Sequence, residues 1–202
     1  ANQPAEARPW FEEFVRLFPE SEWRPQVELL IARVQEQQAA WTNAIAAYDG
    51  WLTRFSSNRL RPQVEFQRAL ATARAGNETN ALAMMTNLVA RFRTNDWAPR
   101  AQWWVADYYF GRGDYAEAEI NFKQLFQNWK SSDLAYEARM MAGRAALAWS
   151  AYPNAIEYFT GLTSDTNCPA DLWARAVLAY GGVKMRLAPA ETNRLAGYTA
   201  AV

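Results

Sequence analysis

The sequence predicts an all-α solenoid of about five stacked helical hairpins. Its 202 residues include 10 Trp, 9 Tyr and 10 Phe but only 9 Gly and 9 Pro. Alternating β-branched residues between Asn-Gly or Asp-Gly turns, the signals of strands, are nearly absent. The sequence also repeats with a period of 37 residues, and a period of this length is typical of stacked repeat units. The repeat is marked by Ala7, Ala44, Ala81, Ala118 and Ala155.

Two helices account for each repeat. After each marker alanine, large apolar residues follow at offsets of 4, 7 and 11, as in Tyr48, Trp51 and Phe55, and these offsets form one stripe of a helix, helix B. Small residues at Ala32, Ala69, Ala106 and Gly143, behind Pro25, Pro62 and Pro99, predict a preceding helix A, since proline suits a first helical turn. Helix A is predicted at 25–37, 62–75, 99–111, 135–149 and 170–187, and helix B at 5–18, 41–55, 78–93, 115–129 and 153–163.

Short turns and polar loops join these helices. Gly76-Asn77 and Gly113-Asp114 mark turns from A to B in which the Asn or Asp can cap helix B. The loops from B to the next A read FPESEW, FSSNRL, FRTNDW and WKSSDL. The predicted domain is one solenoid over 1–202, with helix B of a cut repeat at 5–18 and repeats at 23–56, 60–93, 97–130, 134–164 and 169–202.

Both predicted ends depart from the regular pattern. ETNRLA at 191–196 echoes ETNALA at 78–83 with a shift of two residues from the 37-residue grid. Solenoids need polar terminal caps, and neither end shows an obvious one. We therefore expect the chain to be an excerpt of a longer protein, or to bury its ends against partners.

Residues 101–125 resemble a tetratricopeptide repeat (TPR). The matching residues are Val105, Ala106, Tyr109, Gly113, Tyr115, Ala118 and Phe122. The resemblance extends along most of the chain and implies a right-handed solenoid. The usual TPR period is 34 residues, and the extra residues here lie in the loop after helix B, as in the long-loop repeats of bacterial envelope proteins of the BamD and YbgF type. That similarity implies a periplasmic or envelope-associated location, with the cytoplasm as the alternative.

Composition argues against several classes of function. The 21 basic and 21 acidic residues cancel, so a nucleic-acid partner is not expected. The chain has no histidine and only Cys168, which leaves neither a disulfide nor a thiolate metal cluster, and we expect no metal or organic cofactor. No apolar run approaches the ~20 residues of a membrane span. A small-molecule ligand is not expected either.

The TPR resemblance implies a binding groove lined by helix A. Carried over position by position, the groove residues are Leu29, Arg33, Phe66, Leu70, Arg74, Trp103, Asp107, Phe110, Met140, Arg144, Leu147, Trp173 and Tyr180. Aromatic anchors interleaved with arginines suit an extended peptide or a partner helix. The alternative that Arg33, Arg74 and Arg144 only solvate this face stays open.

The function predicted from these features is a non-enzymatic scaffold that binds a protein or peptide partner. The alternative is a polysaccharide- or peptidoglycan-associated module that uses Trp-rich surfaces, and a third hypothesis is a helical glycosidase. A glycosidase needs a pair of positioned carboxylates, and Asp107 has no acidic companion near it in sequence. Glu28 and Glu65 share one repeat column and are interpreted as ion-pair residues rather than metal ligands. Four of the marker alanines are predicted to be buried, namely Ala44, Ala81, Ala118 and Ala155.

Overall fold

The structure, a computed structural model, describes the backbone of residues 4–199 and the side chains of residues 6–187. The described residues form ten helices joined by short loops: α1 (Pro4–Leu17), α2 (Arg24–Gln37), α3 (Trp41–Arg54), α4 (Arg61–Arg74), α5 (Glu78–Arg91), α6 (Trp97–Gly111), α7 (Tyr115–Asn128), α8 (Ala135–Ala148), α9 (Tyr152–Thr163) and α10 (Ala170–Thr199). The predicted helix ends agree with these bounds within two residues, except at the end of α10. None of the helices in this part of the chain is long and apolar enough to span a membrane.

The last predicted helix is longer than expected. The sequence predicts an end at residue 187, but α10 continues to Thr199, so the repeat expected over 169–202 is one helix over its described part rather than a hairpin. No Gly-Asn or Gly-Asp pair follows residue 187, as one follows α4 and α6, but α2 and α8 also end without such a pair. The side chains of the ETNRLA segment at 191–196, and residues 200–202 altogether, lie outside the described residues.

Two compact units make up the chain, residues 1–101 and residues 102–202, and the boundary falls within α6. In the first unit, helices adjacent in sequence pack against each other around Leu29, Ala44, Tyr48, Trp51 and Val64. Trp51 Nε1 donates a 2.7 Å hydrogen bond to the carbonyl oxygen of Pro25, which ties α3 to the start of α2.

The second unit is built around α7, α8, α9 and α10. Its core includes Phe122, Leu125, Met141, Tyr158 and Phe159. Three of these residues lie on the helix-B stripes that the 37-residue repeat predicts, namely Phe122 and Leu125 of α7 and Phe159 of α9. Consecutive helices again pack against each other, and α8 also contacts α10.

The predicted repeat columns form the cores of both units. The marker alanines Ala44, Ala81, Ala118 and Ala155 are all fully buried, which confirms the prediction. The residues four positions after them are equally buried, from Tyr48 to Phe159. In the small-residue column of helix A, a Cβ atom added to Gly143 would overlap the Phe159 ring. Small residues in both columns therefore let the helices of a hairpin approach closely.

The loops before α2, α4, α6 and α8 share one local hydrogen bond. In each loop a Ser or Asn side-chain oxygen accepts from the backbone N–H two residues later, at distances of 2.9 to 3.2 Å. These residues are Ser21, Asn58, Asn95 and Ser132, which stand 37 residues apart. Such side-chain turns fix the chain reversal before each helix A. The similar polarity of these loops is visible in the sequence, but the shared Ser or Asn residue was not among the predicted features.

The turns from A to B also share one conformation. A residue with positive φ stands at the same repeat position in each, namely Ala39 (55°), Gly76 (89°), Gly113 (81°) and Ser150 (68°). Asn77 Oδ1 accepts from the Asn80 N–H and caps α5 as predicted. Asp114 makes no side-chain cap on α7, whose first turn instead carries Glu117, a charge that favours the positive end of the helix dipole.

Candidate protein-binding surface

Two of the predicted groove residues are buried. Leu29 on α2 and Met140 on α8 are only 5% and 4% exposed, and they belong to the cores of their units. Leu29 lies one turn before Ala32, on the stripe of α2 that packs against α3. Met140 lies among the buried residues of α8. The prediction that these two side chains line a groove is wrong, because both are buried in the cores of their units.

In the first unit, three predicted groove residues follow one face of α4. Phe66, Leu70 and Arg74 are spaced by four residues, and Phe66 and Leu70 are half-buried while Arg74 is exposed. The Phe66 ring packs at 5.1 Å against Trp97. The Arg74 guanidinium lies 5.3 Å from the centre of the Trp41 ring, in cation–π geometry. On this face, therefore, the exposed Arg74 packs against the aromatic ring of Trp41.

Glu36, on α2 of the same unit, is a charged residue that the sequence analysis missed. Burial raises the pKa of Glu36, and the nearby Tyr48 hydroxyl and the charges of Arg74 and Arg33 oppose that rise. Burial and the Glu36 carboxylate in turn raise the pKa of Tyr48. The predicted groove residues Arg33 and Arg74 are exposed, but their charges also stabilise the half-buried Glu36 carboxylate.

In the second unit, α6 and α8 bring two predicted groove residues together. The Arg144 guanidinium lies 5.9 Å from the centre of the Phe110 ring. Its Nη1 atom lies 3.4 Å from Met141 Sδ, and Arg144 is itself exposed. Leu147, one turn further along α8, is half-buried and packs against the core. Asp107, one turn before Phe110, is exposed.

Trp103 is half-buried and packs against the core more closely than the groove prediction implies. Its ring packs edge-on against Phe122 with 5.2 Å between ring centres, and Phe122 is fully buried. Trp104 stacks on Tyr108 at 5.6 Å. The Trp-rich cluster of α6 is therefore held by contacts between its own rings and the core, not displayed as a row of open ring faces.

The last two predicted groove residues lie on α10. Trp173 is 45% exposed, and its Nε1 donates a 3.0 Å hydrogen bond to the Thr163 carbonyl oxygen at the end of α9. Tyr180 is half-buried against the core and has the Lys184 ammonium 5.8 Å from its ring centre. On the same helix, Leu178 and Met185 are strongly exposed, and neither is among the predicted groove residues.

The acidic residues of the described chain hold structural contacts. Glu28 and Glu65 each form ion pairs with two arginines, which confirms their interpretation as ion-pair residues. Glu119 is buried and accepts hydrogen bonds from Trp149 Nε1, Asn154 Nδ2 and Tyr158 OH at 2.7 to 2.8 Å. Over the described residues, no group of three or more His, Cys, Asp or Glu is placed to hold a metal ion.

Cys168 lies before α10 and is not activated as a nucleophile. Burial, with the negative charges of Asp165 and Asp171, raises the pKa of its thiol above the ordinary value. The thiol form is therefore favoured near neutral pH, and a thiolate is what nucleophilic chemistry requires.

No protein-family model matches this sequence, and no curated protein matches it. Solved structures are similar over nearly the whole chain. A tetratricopeptide repeat protein from Parabacteroides merdae matches with a TM-score of 0.61 and 17% identity, over 97% of this chain and 73% of that one. BtubC from P. vanneervenii matches with a TM-score of 0.67 and 16% identity, over 98% and 90%. TPR-like repeats of a kinesin light chain from Podosopora anserina match with a TM-score of 0.57 and 16% identity, over 90% and 98%.

These likenesses establish the fold. The chain has the all-α architecture of TPR-like helical hairpins that its 37-residue repeat predicts.

Proposed function

We propose that this chain binds a peptide or a helix of another protein on the helix-A faces of its repeats. The observation that carries this choice of surface is the position of Arg144 over Phe110 in the second unit, which joins the exposed faces of two A helices. A ring braced under a guanidinium supplies apolar area and hydrogen-bond donors side by side. Interface hot spots are enriched in this combination of aromatic and arginine side chains.

The neighbouring residues suit a peptide chain in contact with that pair. Leu147 adds apolar surface at the edge of the core, and the exposed Asp107 offers a carboxylate to backbone or basic groups of a partner. In the first unit, Arg74 at the end of α4, an A helix, lies over the ring of Trp41 at the start of α3, a B helix. Each unit thus offers its own anchor of the same chemistry.

The polysaccharide alternative has less support. Stacking on a sugar needs an open ring face, but in the Trp-rich cluster of α6 Trp104 stacks on Tyr108 and Trp103 packs on the buried Phe122. The more exposed tryptophans lie on other segments, at Trp10, Trp23, Trp149 and Trp173. A peptide, in contrast, needs only the partly exposed edges and the arginine donors that this surface provides.

A crosslinking experiment followed by a binding experiment tests the proposal. A photoreactive phenylalanine analogue at Leu147 identifies the protein that contacts α8 in cells, and the same analogue at the exposed Gln124 on α7 is the control. Binding of the purified partner is then measured by calorimetry. We expect Arg144→Gln and Phe110→Ala to weaken binding by about tenfold or more, since hot-spot truncations cost ~2 kcal/mol or more.

Gln124→Ala should bind like the wild type. Equal losses in all three variants, or no loss in any, would place the partner on another surface. The envelope location suggested by the long-loop repeats belongs to the same proposal, and fractionation of cells that make the full gene product tests it.

A further inference from the structure

We infer that the second unit holds a pocket that binds the carboxylate of a glutamate-like side chain, with Arg139 as its anchor. The pocket has a volume of about 260 Å³ and lies between α7, α8 and the loop after α9. Its walls include Phe126, Lys130, Ala135, Tyr136, Arg139 and Asp165. This inference goes beyond the proposed function, because the pocket uses none of the predicted groove residues and its ligand can be a small acid.

Arg139 is the proposed anchor because one buried donor of its side chain is unsatisfied within the part of the chain that the structure describes. Its Nε atom is buried and has no hydrogen-bond partner among the described residues. Its guanidinium lies 5.4 Å from the centre of the Phe126 ring. A buried donor without an acceptor is unfavourable, and an anion that met the guanidinium from the pocket would offset part of that cost.

Comparison of the repeats shows that a positive charge at the position of Arg139 is specific to this hairpin. The same column holds Glu28, Glu65 and Gln102 in the preceding repeats, so the sign of the side chain is reversed at Arg139. The glutamates pair with arginines, and Gln102 Nε2 donates to Asn121 at 2.9 Å. At Arg139, in contrast, the buried Nε atom has no hydrogen-bond partner among the described residues.

Gly161 makes room for the guanidinium. A Cβ atom added to this glycine of α9 would overlap Arg139 Nη2. Glycine is unfavourable inside a helix relative to alanine, so the sequence keeps a weak helix former where the guanidinium needs the space. Arg139 is thereby held at the wall of the pocket rather than extended into solvent.

The other walls indicate the chemistry of the ligand. Lys130 and Arg139 bring two positive charges and Asp165 brings one negative charge, so the pocket favours a singly charged anion. Asp165 Oδ2 already accepts a 3.1 Å hydrogen bond from the Tyr136 hydroxyl. The Phe126 ring and Ala135 offer apolar surface for a short methylene stem, and a guanidinium can hold a carboxylate through two parallel hydrogen bonds. A glutamate side chain combines these features.

A capped peptide, acetyl-Ala-Ala-Glu-Ala-Ala-amide, is the probe for this pocket. It is titrated into the full chain while the side-chain Nε–Hε resonance of Arg139 is followed by NMR, with the resonance assigned by its loss in Arg139→Gln. The same peptide with Gln in place of Glu, and inorganic phosphate, are titrated in parallel. We expect a saturable shift with the Glu peptide, and a response at least about tenfold weaker with the other two probes.

Two variants separate the anchor from the fold. Arg139→Gln places in this column the residue that Gln102 already has, and Gly161→Ala keeps every charge but displaces the guanidinium. Binding of the Glu peptide, followed through backbone amides of the pocket, should be lost in both. Gly181→Ala on α10, where an added Cβ atom meets nothing within 4 Å, should bind normally. An unchanged affinity in Gly161→Ala, an equal response to the Gln peptide, or tighter binding of phosphate would overturn the inference.

Discussion

Glu65 on α4 and Arg91 on α5 form an ion pair of 3.1 Å, and Glu28 and Arg54 form the same pair one repeat earlier. Each glutamate also pairs with the arginine four residues before it, the residue that opens its helix. The sequence RPQVE, which contains both partners of this second pair, occurs at 24–28 and again at 61–65. In the first unit, therefore, each hairpin is fastened by a carboxylate between two guanidinium groups.

The Glu65 ion pairs are expected to stabilise the first unit measurably. Glu65 is only 15% exposed, so Glu65→Ala leaves two neighbouring arginines without their carboxylate and should lower the free energy of unfolding by about 1 kcal/mol. A double-mutant cycle with Arg91→Ala, measured by urea denaturation, should give a coupling of roughly 0.5 kcal/mol. Glu12→Ala, in the exposed pair with Arg8, is the control and should change stability by less than about 0.5 kcal/mol. A coupling of zero between Glu65 and Arg91 would contradict the prediction.

Two buried tyrosines on B helices, Tyr48 of α3 and Tyr158 of α9, are expected to respond differently to loss of their hydroxyl groups. Tyr158 OH donates a 2.8 Å hydrogen bond to the buried Glu119, whereas Tyr48 OH is buried without a hydrogen bond of normal geometry. Tyr158→Phe should therefore lower the free energy of unfolding by about 1.5–3 kcal/mol. Tyr48→Phe should leave it unchanged or raise it slightly. Equal losses on chemical denaturation would show that Tyr48 has a partner or that the Tyr158 bond contributes little.

The same tyrosines predict how stability changes at alkaline pH. Burial, together with Glu119 at Tyr158 and Glu36 at Tyr48, raises the pKa of both phenols in the folded chain. The unfolded chain then loses these protons first, so their contribution is fully present below pH ~10 and is lost as the pH rises further. Urea midpoints measured between about pH 8 and 11.5 should fall in the wild type, and the fall should be shallower in Tyr48→Phe. If the urea midpoints of the wild type and of Tyr48→Phe fell in parallel with pH, the raised pKa of Tyr48 would not be what weakens the fold.

Gly143 and Gly50 are expected to respond in opposite directions to alanine. At Gly143 on α8 the new methyl group would overlap Phe159, which is fully buried and has no room to move. Gly143→Ala should therefore cost about 1–3 kcal/mol through overpacking, despite a gain of ~1 kcal/mol in helix propensity. At Gly50 on α3 the methyl group would meet nothing within 4 Å, so Gly50→Ala should gain roughly 0.5–1 kcal/mol. Thermal melts followed by circular dichroism distinguish the two, and a gain at both positions would argue against the close approach of α8 and α9.

The sequence predicts those parts of the fold that depend on local periodicity. The spacing of Ala118, Phe122 and Leu125 lies within one helix, so the buried stripe can be identified without knowing what packs on it. The same holds for the helix starts, since proline and the loop residues act within one turn of the chain. At the end of α10 the local signal misleads, because Pro189 follows the predicted end at residue 187 but the helix continues past it.

The candidate site could be predicted only in part, because side-chain environment depends on distant residues. Spacing places Leu29 near the face of Arg33, and only the packing of α2 on α3 shows that Leu29 is buried. The contact of Arg139 with Gly161 joins residues 22 positions apart, and the partners of Glu119 lie 30 to 39 residues away. No pattern within one repeat indicates such contacts.

The turns from A to B lead to a prediction about backbone strain. Ala39 and Ser150 adopt positive φ at the position where Gly76 and Gly113 stand in the other repeats. A side chain with a Cβ atom is disfavoured in this region by ~1–2 kcal/mol, and glycine is not, although glycine adds up to about 1 kcal/mol of conformational entropy to the unfolded chain. Ala39→Gly and Ser150→Gly should therefore each raise the free energy of unfolding by roughly 0.5–1 kcal/mol.

Gly76→Ala is the reverse experiment and should lower the free energy of unfolding by about 1 kcal/mol or more, because the added Cβ atom meets no neighbour within 4 Å and only the backbone conformation opposes it. Gly111→Ala serves as the control, since Gly111 also has open space around it but lies at the end of α6 without positive φ. It should be neutral or slightly stabilising in the same urea denaturation series. If Ala39→Gly lowered stability as much as Gly76→Ala does, the shared left-handed residue would not be what sets the geometry of these turns.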